Sequence, residues 1–139
     1  MPQTSMIEIN NLSKISIDKK FFSTVAKKVL SGENRGTETL SLAFVGKEEI
    51  KSLNKKFRKK NKETDVLSFA LSEKNYLGEI IICPEVVKEN AKENGIPAKR
   101  ELLKVFIHGI LHLCGYDHEK SEKEAKLMEA REEFYLNKN

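Results

Sequence analysis

Apolar positions along this chain recur with two periods, and the switches between them predict its elements. Residues 6–10 alternate apolar and polar side chains in the manner of a short strand. Phe21, Phe22, Val25, Val29 and Leu30 then fall at helical spacing within 17–30, with Asp18 at the end where a helix favours negative charge. Two glycines and an Asn mark 31–37 as a loop. Leu40, Leu42 and Phe44 alternate through a strand at 39–45, and Ile50, Leu53 and Phe57 restore helical spacing over 47–57. Residues 58–63 are all polar or charged, which predicts a flexible loop.

Two strands follow, at 64–71 and 77–83, joined by a polar connection suited to a hairpin. The first puts Asp65, Leu67 and Phe69 on one side and Val66, Ser68 and Ala70 on the other. Pro84 opens a helix that Asn94-Gly95 and then Pro97 bring to a stop. Residues 100–113 form a long apolar helix. Ser121 with Glu124 makes a capping box for a last amphipathic helix carrying Leu127, Met128, Ala130, Phe134 and Tyr135. This order predicts one α/β (α+β) domain over 1–139, with a mixed sheet of about four strands packed with helices. No linker or repeat interrupts it.

The 100–113 helix is greasy except along one line. At about 100° per residue, Glu101, Lys104, His108 and His112 share a narrow stripe. Two imidazoles four residues apart on a helix can grip one metal ion from the same side. Gly115 stands where the helix can end in a left-handed turn, letting His118 approach from another direction. All three histidines of the chain lie between His108 and His118. Three neutral imidazoles leave a coordination position open, the layout of a catalytic site. Zinc suits such ligands best, though nickel, copper and iron also accept imidazole. The HxxxHxxGxxH spacing is similar to the zincin-like string of metzincin proteases with one departure. Gly109 stands where those enzymes carry the general-base Glu, which argues against peptide hydrolysis.

At 139 residues with 39% apolar content the chain suits a single folded unit with a real core. It shows no signal peptide pattern and no apolar run able to cross a bilayer, so a cytoplasmic address with no membrane association is expected. Cys83 and Cys114 form no disulfide framework, and Cys114 points away from the metal face. No terminal helix face is apolar enough to demand a partner, which predicts a monomer. The net charge of +4 is unevenly spread: eight basic residues between Lys47 and Lys62 face only Glu48 and Glu49, giving that stretch +6. A solvated lysine-rich loop accounts for this as readily as a polyanion site does, and nucleic acid is the commonest cellular polyanion.

The segment from His108 to His118 resembles the signature of the YbeY family of bacterial endoribonucleases, or ribosomal RNA maturation factors. The resemblance extends from about Thr39 through Leu53-Asn54, Phe57-Arg58, Thr64 to Phe69, Leu77 to Ile80 and Glu101-Leu102. It implies a single α/β domain whose His108, His112 and His118 hold one metal, usually zinc. It also implies cleavage of single-stranded RNA in late maturation of the 16S ribosomal RNA 3′ end, a part in ribosome quality control, and the small ribosomal subunit as partner. The family's Arg maps onto Arg58. Two departures lie close by: Lys59 replaces the usual Gly, and Glu63 the usual Pro before Thr64.

The expected chemistry is metal-assisted attack on an RNA phosphodiester, by water or by the 2′-hydroxyl, with His108 and Arg58 as catalytic residues. Arg58 offers the planar fork that fits a phosphate, while Lys59, Lys60 and Lys62 hold flanking backbone. Phe57, Tyr76 and Tyr116 are candidate stacking surfaces. Metal hydroxide, Asp117, Asp65 and Glu79 all remain open as general base. Asp117 is favoured instead as the acceptor that orients a ligand histidine. A non-catalytic ribosome assembly factor with a structural metal and a zincin-like metallohydrolase are the competing readings.

Overall fold

The computed structural model describes residues 5–71 and 73–138, so positions 1–4, 72 and 139 of the expected domain lie outside it. Its elements are β1 (Ile7–Asn11), α1 (Lys19–Gly32), β2 (Thr39–Phe44), α2 (Lys47–Arg58), β3 (Val66–Ala70), β4 (Tyr76–Ile82), α3 (Pro84–Glu93), α4 (Ala98–Leu113) and α5 (Glu122–Leu136). The expected α/β domain with a four-stranded mixed sheet is what forms. Strand order is β1-β2-β4-β3, with β1, β2 and β4 parallel and β3 antiparallel to β4 at one edge.

The apolar run in β4 follows from burial on both faces, which removes the need for polar alternation. Ile80 and Ile82 join the large cluster with Leu40, Leu42 and Phe44 of β2, Val25 and Leu30 of α1, and Phe106, Ile107, Ile110 and Leu111 of α4. Ile81 and Cys83 face a smaller cluster with Val45, Ile50 and Leu67, onto which Leu53 of α2 packs. Helices α1 and α4 therefore cover one face and α2 the other. Phe22 pins the larger layer, its ring edge-on to Phe44 at 5.3 Å and to Phe106 at 5.4 Å. Each fully buried side chain of this size contributes roughly 1.5–3 kcal/mol.

Local signals act where expected. The Asp18 carboxylate accepts from Phe21 N at 3.1 Å, and Ser121 Oγ accepts from Glu124 N at 3.1 Å, so both helix starts are capped by their own side chains. Most boundaries shift by one or two residues. Strand β3 is shorter than 64–71, because Thr64 and Asp65 leave the ladder, Asp65 keeping one backbone bond from Cys83 N at 2.9 Å. The 58–63 segment is exposed throughout, with Arg58 closing α2 and the rest tied back to that helix. Buried Asn54 donates from Nδ2 to the Lys62 carbonyl at 3.0 Å, and Lys60 N returns to the Asn54 carbonyl. One amide side chain on α2 thus closes the loop on itself.

Candidate active site

Helix α4 ends through Gly115, whose φ of 108° lies where side chains with a Cβ are strained. The turn brings His118 back beside the helix, its ring 5.2 Å from that of His108 and tilted by 59°. His108, His112, Asp117, His118 and Glu119 line one wall of a cavity of about 410 Å³. Arg58, Thr64, Asp65, Val66 and Ser68 line the other. Residues more than forty positions apart in sequence meet because β3 lies beside the strand against which α4 packs.

Gly109 explains how α4 comes so close. A Cβ at this position would stand 3.2 Å from Ile80 Cδ1 and 3.4 Å from Ser68 Oγ, a tight fit that those side chains must yield slightly to admit.

His108 is half-buried, whereas His112 and His118 are exposed. Its Nδ1 donates to Glu132 Oε1 of α5, since an ionised carboxylate only accepts. Nε2 is then the nitrogen left for a ligand, and the tautomer is held by the neighbouring helix. Asp117, expected in an orienting role, lines the same cavity and accepts from Glu119 N at 3.0 Å in the turn after α4. Glu132 escaped the sequence reading, although a signal existed: Met128, Glu132 and Leu136 recur every four residues, setting a carboxylate in an apolar stripe. A buried charge needs a partner.

Of the basic residues, Arg58 joins the cavity, while Lys59, Lys60 and Lys62 stay exposed in the adjoining loop without lining it. Lys47 is drawn off by Glu89 of α3, whose carboxylate raises the lysine pKa. Asp65 and Asp117 line the cavity; Glu79 does not. Among the proposed stacking surfaces, Phe57 is 55% exposed and rests edge-on against Phe69. Tyr76 is bonded to Ser41, and Tyr116 donates to Glu33 at 2.6 Å, so neither faces the cavity. The Cys114 thiol is pushed up to about 11 by burial and stays protonated.

Imidazole nitrogen is a donor type that divalent transition ions take. Two imidazoles at about 2.0–2.1 Å from one tetrahedral ion hold their ring centres about 5 Å apart, which is the His108–His118 spacing. Among the described residues no three side chains have yet closed on one point. One fixed cation, Arg58, faces the carboxylates of Asp65, Asp117 and Glu119, so a phosphate entering this cavity needs further positive charge.

Residues 8–139 match the family described as Endoribonuclease YbeY. The chain belongs to the endoribonuclease YbeY family. It is 45% identical over 121 residues to Endoribonuclease YbeY of Thermotoga neapolitana, covering 87% of this chain and 76% of the relative. The Bdellovibrio bacteriovorus member is 44% identical over 126 residues, with 84% and 83% covered. A Thermotoga maritima protein solved in solution superposes with a TM-score of 0.74 at 40% identity, over 94% of this chain and 87% of that one. The YbeY resemblance read from the histidine segment therefore holds along nearly the whole chain. No described helix is long and apolar enough to cross a membrane.

Proposed function

We propose that this chain is a metal-dependent endoribonuclease that cuts single-stranded RNA, with ribosomal RNA of the small subunit as its substrate. One observation carries the reading: a guanidinium and three imidazoles from separate segments line a single cavity open to solvent. Family membership supports RNA as the substrate. The resemblance of the histidine segment supports the 16S 3′ end as the place of cleavage.

His108, His112 and His118 would hold one Zn²⁺ or a similar divalent ion, which supplies Lewis-acid polarisation of a phosphoryl oxygen and lowers the pKa of water. Arg58 binds the non-bridging phosphate oxygens with two parallel N–H donors and neutralises charge that grows on them. Glu132 fixes the His108 tautomer through Nδ1. Asp65 and Asp117 are the carboxylates placed to take a proton from the attacking water or 2′-hydroxyl. The exposed lysines of the adjoining loop hold flanking phosphates without reading sequence, which makes binding fall with rising salt.

The test is cleavage of a defined single-stranded RNA by pure protein, before and after chelation and metal return, with ends mapped. Loss of cleavage in His108→Ala and Arg58→Ala is expected. Unchanged cleavage in both would assign the activity to a contaminant and leave an RNA-binding assembly factor.

A further inference from the structure

Helix α5 presents a different face to α1 from the one carrying Glu132. There Lys27 and Lys28 of α1, with Arg131, Phe134, Tyr135 and Lys138, line an open groove of about 820 Å³ that has no carboxylate among the described residues of its lining. The acidic side chains of α5 lie elsewhere: Glu129 and Glu133 join Glu101 in the cleft towards α4. Helix α1 itself carries no acidic residue. Charge is sorted across the last helix, basic towards α1 and acidic towards α4.

The groove is built, since its floor is locked. Gly32 lets the Tyr135 phenol lie directly on the end of α1, where a Cβ would strike the ring. Arg131 is held by Glu33, at 2.6 and 3.2 Å, and by the Tyr135 hydroxyl at 2.8 Å. Above this floor Phe134 is 42% exposed, with Arg131 4.8 Å and Lys138 4.3 Å from its ring centre. An exposed aromatic ring flanked by cations serves stacking of a base beside a held phosphate.

We propose that this groove is a second RNA-binding site, taking a stretch of single strand outside the catalytic cavity, with Phe134 as stacking platform and Lys27 and Lys138 on phosphates. The assignment rests on the endoribonuclease reading for its choice of polyanion. It adds a handle on the same strand at another face of the molecule, so long substrates are held at two places.

Binding of a single strand of about 30 nucleotides tests it, titrated by fluorescence anisotropy at several salt concentrations, in a His108→Ala background that prevents cleavage. The double substitution Lys27→Ala with Lys138→Ala is expected to weaken binding about tenfold and to reduce the salt slope by about 0.7 per lysine removed. Phe134→Ala is expected to weaken it about tenfold and Phe134→Tyr to restore it. Lys92→Ala, an exposed lysine on α3, serves as the control for general charge and should change little. Affinity within twofold of the parent in both groove variants, with an unchanged salt slope, overturns the proposal. Cleavage by the unsubstituted chain reports separately on the nuclease reading: a cleaving enzyme whose groove variants bind normally refutes the groove alone.

Discussion

Glu132 on the last helix holds the Nδ1–H of His108 on the helix before it, 24 residues earlier in the chain. The pairing ties α5 to the cavity and decides which nitrogen of the imidazole is left to work. A ligand histidine whose other nitrogen is bonded to a carboxylate is a better donor and a better oriented one. Glu132→Gln retains an acceptor, whereas Glu132→Ala removes it. Zinc affinity, measured by competition with a chromophoric chelator, is expected to fall about 10–100-fold in the Ala variant and less in the Gln variant. Equal affinity in all three proteins would remove the orienting role.

Lys59 occupies a backbone conformation made for another residue. It ends α2 with φ 59° and ψ 29°, the left-handed region that Gly adopts most cheaply. A side chain there costs roughly 1–2 kcal/mol, against which the greater freedom of Gly in the unfolded chain returns about 0.5–1 kcal/mol. Lys59→Gly is expected to stabilise the fold by about 0.5–1 kcal/mol, seen as a higher urea midpoint at unchanged slope. Lys59→Ala keeps the strain and should give no such gain.

Asn54 governs the loop that carries the basic cluster. Its side chain is 2% exposed and spends its amide on the Lys62 carbonyl. Asn54→Ala is expected to cost about 1–2 kcal/mol in denaturant unfolding, through the bond and the group left without a partner. Cleavage by this variant should drop mainly through a raised KM, because Arg58 and the lysines after it lose their fixed setting. Stability and KM both unchanged would show that the loop is held by something else.

Glu33 makes the fold sensitive to acid. Burial pushes its pKa up, but hydrogen bonds from Tyr116, Tyr135 and Arg131, with the charge of Arg131, outweigh it and leave the carboxyl below its usual range. A group depressed in the folded state contributes stability that is whole above its unfolded pKa near 4.5 and is lost as pH falls through the folded value. Stability of the unsubstituted chain is therefore expected to fall more steeply below about pH 4.5 than that of Glu33→Gln. Parallel stability curves for the two proteins would deny the contribution. The Tyr135 phenol, pushed up to about 12 by burial first and by Glu33 second, stays a donor throughout.

The parts of this site that local geometry controls were readable in the chain. His108 and His112 follow from helical period, Gly115 from the turn that only a residue without Cβ takes easily, and Asp18 and Ser121 from capping over three residues. Glu132, Ser68 and Thr64 were not, because their roles depend on how α4 docks between α5 and the sheet. The role of Asn54 was hidden for a different reason: a polar run is bonded back to a single buried amide on the preceding helix. The strand order β1-β2-β4-β3 likewise needs contacts that periodicity does not encode.

The absent side chain of Gly109 has a mechanical consequence. The helix rests on Ile80 and Ser68 at this point, one residue beyond His108, so the clearance between two layers of the fold is gauged there. Arg58 hangs from α2 on the opposite side of the sheet and would not follow if α4 were lifted. An added methyl group would press on Ile80 and Ser68 there, so the spacing between guanidinium and imidazole is set by a side chain the helix does without.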